Sequence, residues 1–187
     1  MSTPSPRQAN FRGIEHVGIT VPDHAEAVKF FEDVFGAEVM FSLTDKSRDP
    51  LPASALGPKN GLRSGRKIVA VSTMRFGNGA NMEIFEIDQP DDQPRDNIAN
   101  LGINHISVTV DDIDAASDAF AKAGGELLEG PYDLSDQEEG RGNRGRFGFT
   151  PWGMLIEFEQ LPAPMSYDNP QASERLIPDP RKATEEV

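Results

Sequence analysis

A repeat in which two segments of the chain match at a constant offset of 89 residues constrains this fold more than any other feature. Residues 103–112 align with residues 14–23, so that His105 falls on His16. The offset is unchanged further along the chain, where Phe120 matches Phe31 and Gly125 matches Gly36. A fixed period of this length predicts one supersecondary unit that is used twice.

The first copy opens with a predicted strand and an amphipathic helix. Residues 14–21 alternate between a face that contains His16 and a β-branched face, which is the period of a strand. Asp23 is suited to the N-cap of the next helix, and Glu26 follows at the spacing of a capping box. Apolar residues then recur at helical spacing up to Gly36, which is suited to the left-handed position after a helix.

The other predicted elements give each copy the order βαβββ and an α+β fold class. Further strands are predicted at residues 38–43, 67–76 and 80–87, and in the second copy at 103–110, 126–129, 146–150 and 154–160, with a helix from about Asp112. Residues 44–65 are rich in proline, glycine and serine, which predicts a long loop of the kind that often forms a lid. We expect a disordered lead-in at 1–11, a first module with its linker at 12–98, a second module at 99–162 and a proline-rich tail at 163–187.

Composition excludes several classes of partner and chemistry. The formal net charge of −13 disfavours nucleic acid or an anionic membrane as a partner. Because the chain has no cysteine, it has no disulfide, no thiolate nucleophile and no cysteine-type zinc site. No apolar run approaches the roughly 20 residues that span a bilayer, and residues 1–10 lack the apolar core of a signal peptide, so a cytoplasmic protein is expected.

Basic residues are concentrated in two loop-like stretches of this acidic chain. Arg63 and Arg66 belong to a cluster within residues 46–67, and Arg144 belongs to another within residues 141–146. Such clusters either make loops soluble or bind a small anion. On the second interpretation, these three arginines are candidate substrate-binding residues.

Each copy also ends in a strand that contains a glutamate on a partly apolar face. These residues are Glu83 in the first copy and Glu157 in the second. A carboxylate in such a position is costly unless it is paired or bound to a cation. Together with His16 and His105 they form a set of imidazole and carboxylate ligands suited to one divalent ion of Mn, Fe, Co, Ni or Zn.

Four protein ligands leave two positions of a six-coordinate ion for water or substrate. A substrate that chelates there through a carbonyl gains a Lewis acid that stabilises a metal-bound enolate or enediolate. Glu83 or Glu157 can then double as the base, which makes both candidate catalytic residues. Glu86 and Glu159 are rival carboxylates that we rank lower, and His24 has no counterpart in the second copy and is expected to be solvent-exposed.

These repeated segments resemble the vicinal oxygen chelate superfamily, which includes glyoxalase I, methylmalonyl-CoA epimerase, extradiol dioxygenases and bleomycin-resistance proteins. The resemblance covers roughly residues 12–162 and rests on the opening strand 16–23 and the closing strand 155–159. It implies two tandem βαβββ modules in an open mixed β-barrel with helices outside, and a metal on the inner surface. The family's ligands fall on His16, Glu83, His105 and Glu157, and no organic cofactor is expected.

The ligand pattern is similar to that of bacterial glyoxalase I, and residues 110–115 and 142–144 look like segments of the epimerase. The resemblance therefore implies a metal-dependent isomerase, epimerase or lyase that acts on a small, anionic substrate, and a homodimer. A ferrous-iron extradiol dioxygenase and a metal-free module that binds small molecules such as drugs are the alternatives. The sequence leaves open the substrate, the metal and whether the site lies within one chain or between two.

Overall fold

The computed structural model describes residues 14–90, 98–99, 101–168 and 177–179. Its elements are β1 (His16–Thr20), α1 (His24–Phe35), β2 (Glu38–Thr44), β3 (Leu51–Pro52), α2 (Ala53–Asn60), β4 (Lys67–Arg75), β5 (Asn81–Ile87), β6 (Ile106–Thr109), α3 (Ile113–Lys122), β7 (Glu126–Leu127), β8 (Tyr132–Asp133), β9 (Arg144–Phe149) and β10 (Leu155–Gln160). Within the described residues, none of the helices is long and apolar enough to cross a bilayer.

The two modules repeat one sheet topology. The first sheet has the order β1-β5-β4-β2 with β3 also paired to β4, and the second has the order β6-β10-β9-β7 with β8 also paired to β9. In each module the opening strand pairs in parallel with the closing strand, β1 with β5 and β6 with β10. The predicted α+β fold of two repeated modules is confirmed, and the two sheets do not close into a barrel.

Capping residues start and stop the helices where the sequence predicts. The Asp23 side chain accepts a hydrogen bond from the backbone N–H of Glu26, and the Asp112 side chain accepts from Asp114 and Ala115. These bonds satisfy amide groups that lack partners in the first turn of a helix. Gly36 ends α1 at φ 59° in the left-handed region, where a side chain would be strained.

One apolar core is shared by both modules. The fully buried Phe31 of α1 and Phe120 of α3 belong to the same cluster as Ile84 of β5 and Phe158 of β10. The helices meet within it, because the ring centroids of Phe30 and Phe120 lie 5.4 Å apart. Each sheet therefore has a core face that packs on the helices, and an opposite face that carries the histidine and glutamate of its module. We call the latter the site face.

The segment 44–65 differs from the predicted loop, because it contains the short strand β3 and the helix α2. Gly57 and Pro58 are poor helix formers, so local propensity did not indicate this helix. Its start is fixed by tertiary contacts: Ala53 is 6% exposed, and its backbone N–H donates to the carbonyl of Arg66 at 2.9 Å. The lead-in at 1–11 lies outside the described residues.

The described parts of the predicted tail contact both modules. The amide N–H of Ala163 donates to the side-chain oxygen of the buried Asn143 at 2.9 Å. Further along, the carbonyl of Asp179 accepts a hydrogen bond from the side chain of Asn78 at 2.7 Å. The domain boundaries themselves remain predictions.

Candidate metal centre

The first histidine and glutamate lie on adjacent parallel strands, β1 and β5. The Nε2 atom of His16 is 3.7 Å from Oε2 of Glu83. The other ring nitrogen, Nδ1, is 2.5 Å from the carboxylate of Glu15, the preceding residue. This hydrogen bond is the main cause that raises the pKa of His16 above its ordinary value, while burial opposes it. We call His16 with Glu83 the first half-site.

The second module repeats this geometry. The Nε2 atom of His105 is 3.5 Å from Oε2 of Glu157 on β10, and its Nδ1 is 2.5 Å from the side-chain oxygen of Asn104. The imidazole also lies edge-on to Phe147, with ring centroids 5.4 Å apart. Burial is the main cause that raises the pKa of Glu157, Glu159 adds to the shift, and His105 opposes it. We call His105 with Glu157 the second half-site.

Each half-site fits two ligands of one transition-metal ion. Ligand atoms bound at about 2.1 Å lie about 3.0 Å apart at adjacent octahedral positions and about 3.4 Å apart in a tetrahedral arrangement. The Nε2–Oε2 separations of 3.7 and 3.5 Å need only a small side-chain movement to share one ion. Histidine ligands commonly donate their second ring N–H to a neighbouring oxygen, which leaves the lone pair of the other nitrogen for the metal. The side-chain oxygens of Glu15 and Asn104 accept the hydrogen bonds from Nδ1 of His16 and His105 in this way. The residues present therefore fit a divalent ion.

The structure does not bring the two half-sites together within one chain. Among the residues that the structure describes, no group of three or more metal-binding side chains could hold an ion. The modules pack through the core faces of their sheets, so that the site faces lie on the outer sides of the shared core. The single four-ligand centre expected from the repeat is thus present as two separated pairs.

His24 corrects one expectation, because it is half-buried and not solvent-exposed. Its Nε2 lies 2.7 Å from the hydroxyl of Ser72, a fully buried residue of β4. Burial is the main cause that lowers the pKa of His24. The rival carboxylate Glu86 accepts from the backbone N–H of His24 at 2.8 Å and pairs with Lys46 at 3.1 Å, so it stabilises the start of α1.

The candidate substrate-binding arginines lie away from the half-sites. Arg63 and Arg66 line a cleft of about 500 Å³ together with Thr20, at the carboxyl end of β1. His16 begins that strand, four residues or about 13 Å earlier at the usual rise of a strand. Arg144 donates to Asp114 of α3 at 3.0 Å, on the helix side of its sheet. The structure therefore does not place these three residues beside the metal pairs.

Several residues around the half-sites were missed from the sequence. Glu15 and Asn104 occupy matched positions 89 residues apart, so the repeat itself could have identified them. Ser107 donates to Glu159 at 2.8 Å on the site face of the second sheet. Tyr132 approaches the same face from β8, and the repeat did not indicate this, because β8 and its topological counterpart β3 do not match at the 89-residue offset.

Comparison with known proteins shows the family of the chain. A family model described as the Glyoxalase/Bleomycin resistance protein/Dioxygenase superfamily matches residues 15–142. A curated 2-epi-5-epi-valiolone epimerase from Actinomyces sp is 32% identical over 154 residues, which cover 80% of this chain and 80% of that protein. This relationship supports an enzyme of the epimerase or isomerase type.

Solved structures share the fold. A glyoxalase family protein from Bacillus cereus has a TM-score of 0.63 and 19% identity, with 81% of this chain and 97% of that chain covered. A mutant of the fosfomycin resistance protein FosX from Listeria monocytogenes, complexed with Mn(II) and 1S,2S-dihydroxypropylphosphonic acid, has a TM-score of 0.50 and 17% identity over 79% of this chain and 91% of that chain. From the repeated modules and the family match together, the chain belongs to the Glyoxalase/Bleomycin resistance protein/Dioxygenase superfamily.

Proposed function

We propose that this protein is a divalent-metal-dependent epimerase or isomerase that acts on a carbon atom next to a carbonyl group. The observation that carries the proposal is the matched pair of half-sites. In both modules Nε2 faces a glutamate oxygen at 3.5–3.7 Å, and Nδ1 is occupied by the preceding residue. The same orientation in both modules supports a ligand role, because a hydrogen-bonded Nδ1–H leaves the Nε2 lone pair for a metal ion.

We further propose that a homodimer completes the metal centre. In a symmetric dimer, the first module of each copy would place its site face against the site face of the partner's second module. The two-fold symmetry would give two such contacts and therefore two metal centres. Each centre would then hold His16 and Glu83 from one chain and His105 and Glu157 from its partner. Phe41 supports this arrangement, because it lies in the cross-strand row of Glu83 and is 50% exposed in the single chain.

The bound ion would supply a Lewis acid that stabilises negative charge on the substrate's carbonyl oxygen. The chain's own residues would supply the proton transfers. Glu83 and Glu157 would stand on opposite walls of the centre, since they come from different modules. One glutamate, as a carboxylate released from the ion, would take the proton from the carbon next to the carbonyl, giving an enolate. The other, which would start as the protonated acid, would give its proton to the opposite face, and exchange with water would then restore both groups. The product then differs from the substrate only in configuration.

The substrate class follows from the curated relative and from the placement of the arginines. The compound in that relative's name is a ketone with several hydroxyl groups, so we take a small polyhydroxylated ketone as the first candidate. An anionic substrate was expected from Arg63, Arg66 and Arg144. Because these residues lie away from the half-sites, the proposal does not depend on a negative charge.

Metal binding and hydrogen exchange test the proposal together. Metal-stripped protein is titrated with Mn(II), and 2-epi-5-epi-valiolone is incubated with the loaded protein in D₂O. We expect one ion per chain and metal-dependent incorporation of deuterium next to the carbonyl. Glu83→Gln should weaken metal binding by about tenfold or more, whereas Glu32→Gln on the exposed side of α1 should not. Binding of less than about a tenth of an equivalent, or exchange that is equal without metal, would contradict the proposal.

A further inference from the structure

The two half-sites have different neighbours, although their ligands match. In the first module, Gly18 lies beside the half-site, and a Cβ atom built on it would be 3.6 Å from the ring of Phe85. The corresponding residues of the second module are Ser107 and Glu159, and the serine hydroxyl donates to the carboxylate at 2.8 Å. One wall of the proposed centre is thus apolar at this position, and the other is polar.

Tyr132 extends the polar wall of the second module. It pairs with Gly145 of β9, and Gly145 in turn lies directly opposite Glu159 of β10. A Cβ atom on Gly145 would be 3.0 Å from Cε2 and 3.2 Å from Cζ of the tyrosine, so the ring lies over this glycine. The absence of a side chain at Gly145 therefore lets the phenol lean across the site face towards the carboxylates.

The phenol is accessible to a ligand, whereas the carboxylate beneath it is not. Tyr132 is 39% exposed, and Glu159 is only 5% exposed. A tyrosine hydroxyl is protonated at neutral pH and can donate a hydrogen bond. Burial and the nearby charges of Glu157, Glu159 and Glu138 raise the pKa of Tyr132 further. The hydrogen-bonded pair of Ser107 and Glu159 belongs to the same polar wall.

We propose that Tyr132 determines substrate specificity, because its hydroxyl donates a hydrogen bond to a hydroxyl oxygen of the polyhydroxylated ketone. This inference rests on the proposed function. Since the two half-sites are nearly symmetric, the ligands alone would accept the substrate in either of two orientations. Because the wall at Tyr132 is polar and the wall at Phe85 is apolar, only one of these two substrate orientations directs the hydroxyl groups towards Tyr132.

The test compares two ketones that share the chelating group and differ in their other hydroxyls. These are 2-epi-5-epi-valiolone and 2-hydroxycyclohexanone, and the readout is deuterium exchange by the Mn(II)-loaded protein. In Tyr132→Phe we expect kcat/KM for the first ketone to fall about tenfold, the value of one hydrogen bond, with exchange of the second within about twofold of wild type. The matched control is Tyr167→Phe, in the C-terminal segment, which should match wild type for both ketones.

Failure of this inference and failure of the proposed function give different results. If the wild type exchanges both ketones and Tyr132→Phe slows neither, or slows both equally with normal Mn(II) binding, the role of Tyr132 in specificity is wrong and the proposed function stands. If the wild type exchanges neither ketone, the proposed function and this inference both fail. Removing one hydroxyl from a partly exposed ring leaves packing unchanged, so the variant is expected to fold.

Discussion

The residue before each histidine decides which ring nitrogen is available. Glu15 and Asn104 both accept a hydrogen bond from Nδ1, and this leaves Nε2 directed at the glutamate of the same module. The two acceptors differ in charge, since one is a carboxylate and the other an amide. The carboxylate raises the pKa of His16, so metal binding there competes with a proton to a higher pH than for an ordinary histidine.

His24 predicts a pH dependence of stability. Burial lowers its pKa in the folded state, although Glu86 and Asp23 oppose the shift and Lys46 adds to it. The unfolded chain titrates near the ordinary value of about 6.5. Below that pH the unfolded state therefore binds a proton that the folded state resists, and stability falls as the pH falls towards the folded pKa.

The measurement is urea unfolding of the wild type and of His24→Gln between about pH 5 and pH 8. We expect the difference in free energy of unfolding to be constant above about pH 7 and to shift against the wild type below about pH 6.5. The other two histidines are present in both proteins, so their contributions cancel. If the free energies of unfolding of the two proteins differ by the same amount at every pH, burial of His24 does not affect its protonation.

At the level of elements, a glycine in β9 allows the helix α3 to pack closely on the second sheet. Gly148 lies on the core face of β9, opposite Ile156. A Cβ atom there would be 2.8 Å from the ring of Phe120 on α3 and 3.1 Å from the backbone oxygen of Glu126. Since Phe120 is fully buried, neither neighbour can move away without disturbing the core.

Gly148→Ala is therefore expected to lower the free energy of unfolding by about 1–3 kcal/mol, the usual cost of overpacking. The matched control is Gly79→Ala in the turn before β5, where a Cβ atom would have only the oxygen of Phe76 within 4 Å, at 3.7 Å. That change should be close to neutral. Denaturant unfolding of both variants measures the difference, and equal midpoints would contradict the close packing of α3 on β9.

The sequence correctly predicted those elements whose structure depends on residues that are close together in the chain. The strand and helix that open each module follow from alternation, from the caps Asp23 and Asp112, and from Gly36. The helix α2 was not predicted, because its sequence disfavours a helix and contacts at Ala53 fix its start. Tyr132 was missed for a similar reason, since its proximity to Glu159 depends on pairing between β8, β9 and β10.

At the scale of the whole molecule, the repeat identified the four metal-binding candidates but not how the modules are arranged. Periodicity shows that one face of a strand or helix is apolar, and it does not show which partner covers that face. Here α1 and α3 pack on each other, and Trp152 of the second module lies 5.3 Å from Phe30 of the first, between ring centroids. This packing directs the two site faces away from each other within one chain.

A shared centre makes a specific prediction for mixtures of inactive variants. His16→Ala and His105→Ala should each weaken metal binding and exchange activity when purified alone, because every centre then lacks one imidazole. If the two variants are unfolded together and refolded, half of the dimers contain one chain of each kind. In those dimers one centre lacks both histidines, and the other has His16 from one chain and His105 from its partner, so it is intact.

An equal mixture should therefore recover about a quarter of the wild-type metal sites and activity, since half of the dimers have one of two centres restored. A matched mixture of His16→Ala with Glu83→Gln should recover nothing, because both changes affect the same half-site and no dimer then contains an intact centre. Sedimentation at the assay concentration should show dimers in every sample. If each centre were formed within one chain, the first mixture would be as inactive as its components, and the site faces would have to close by a rearrangement of the two modules.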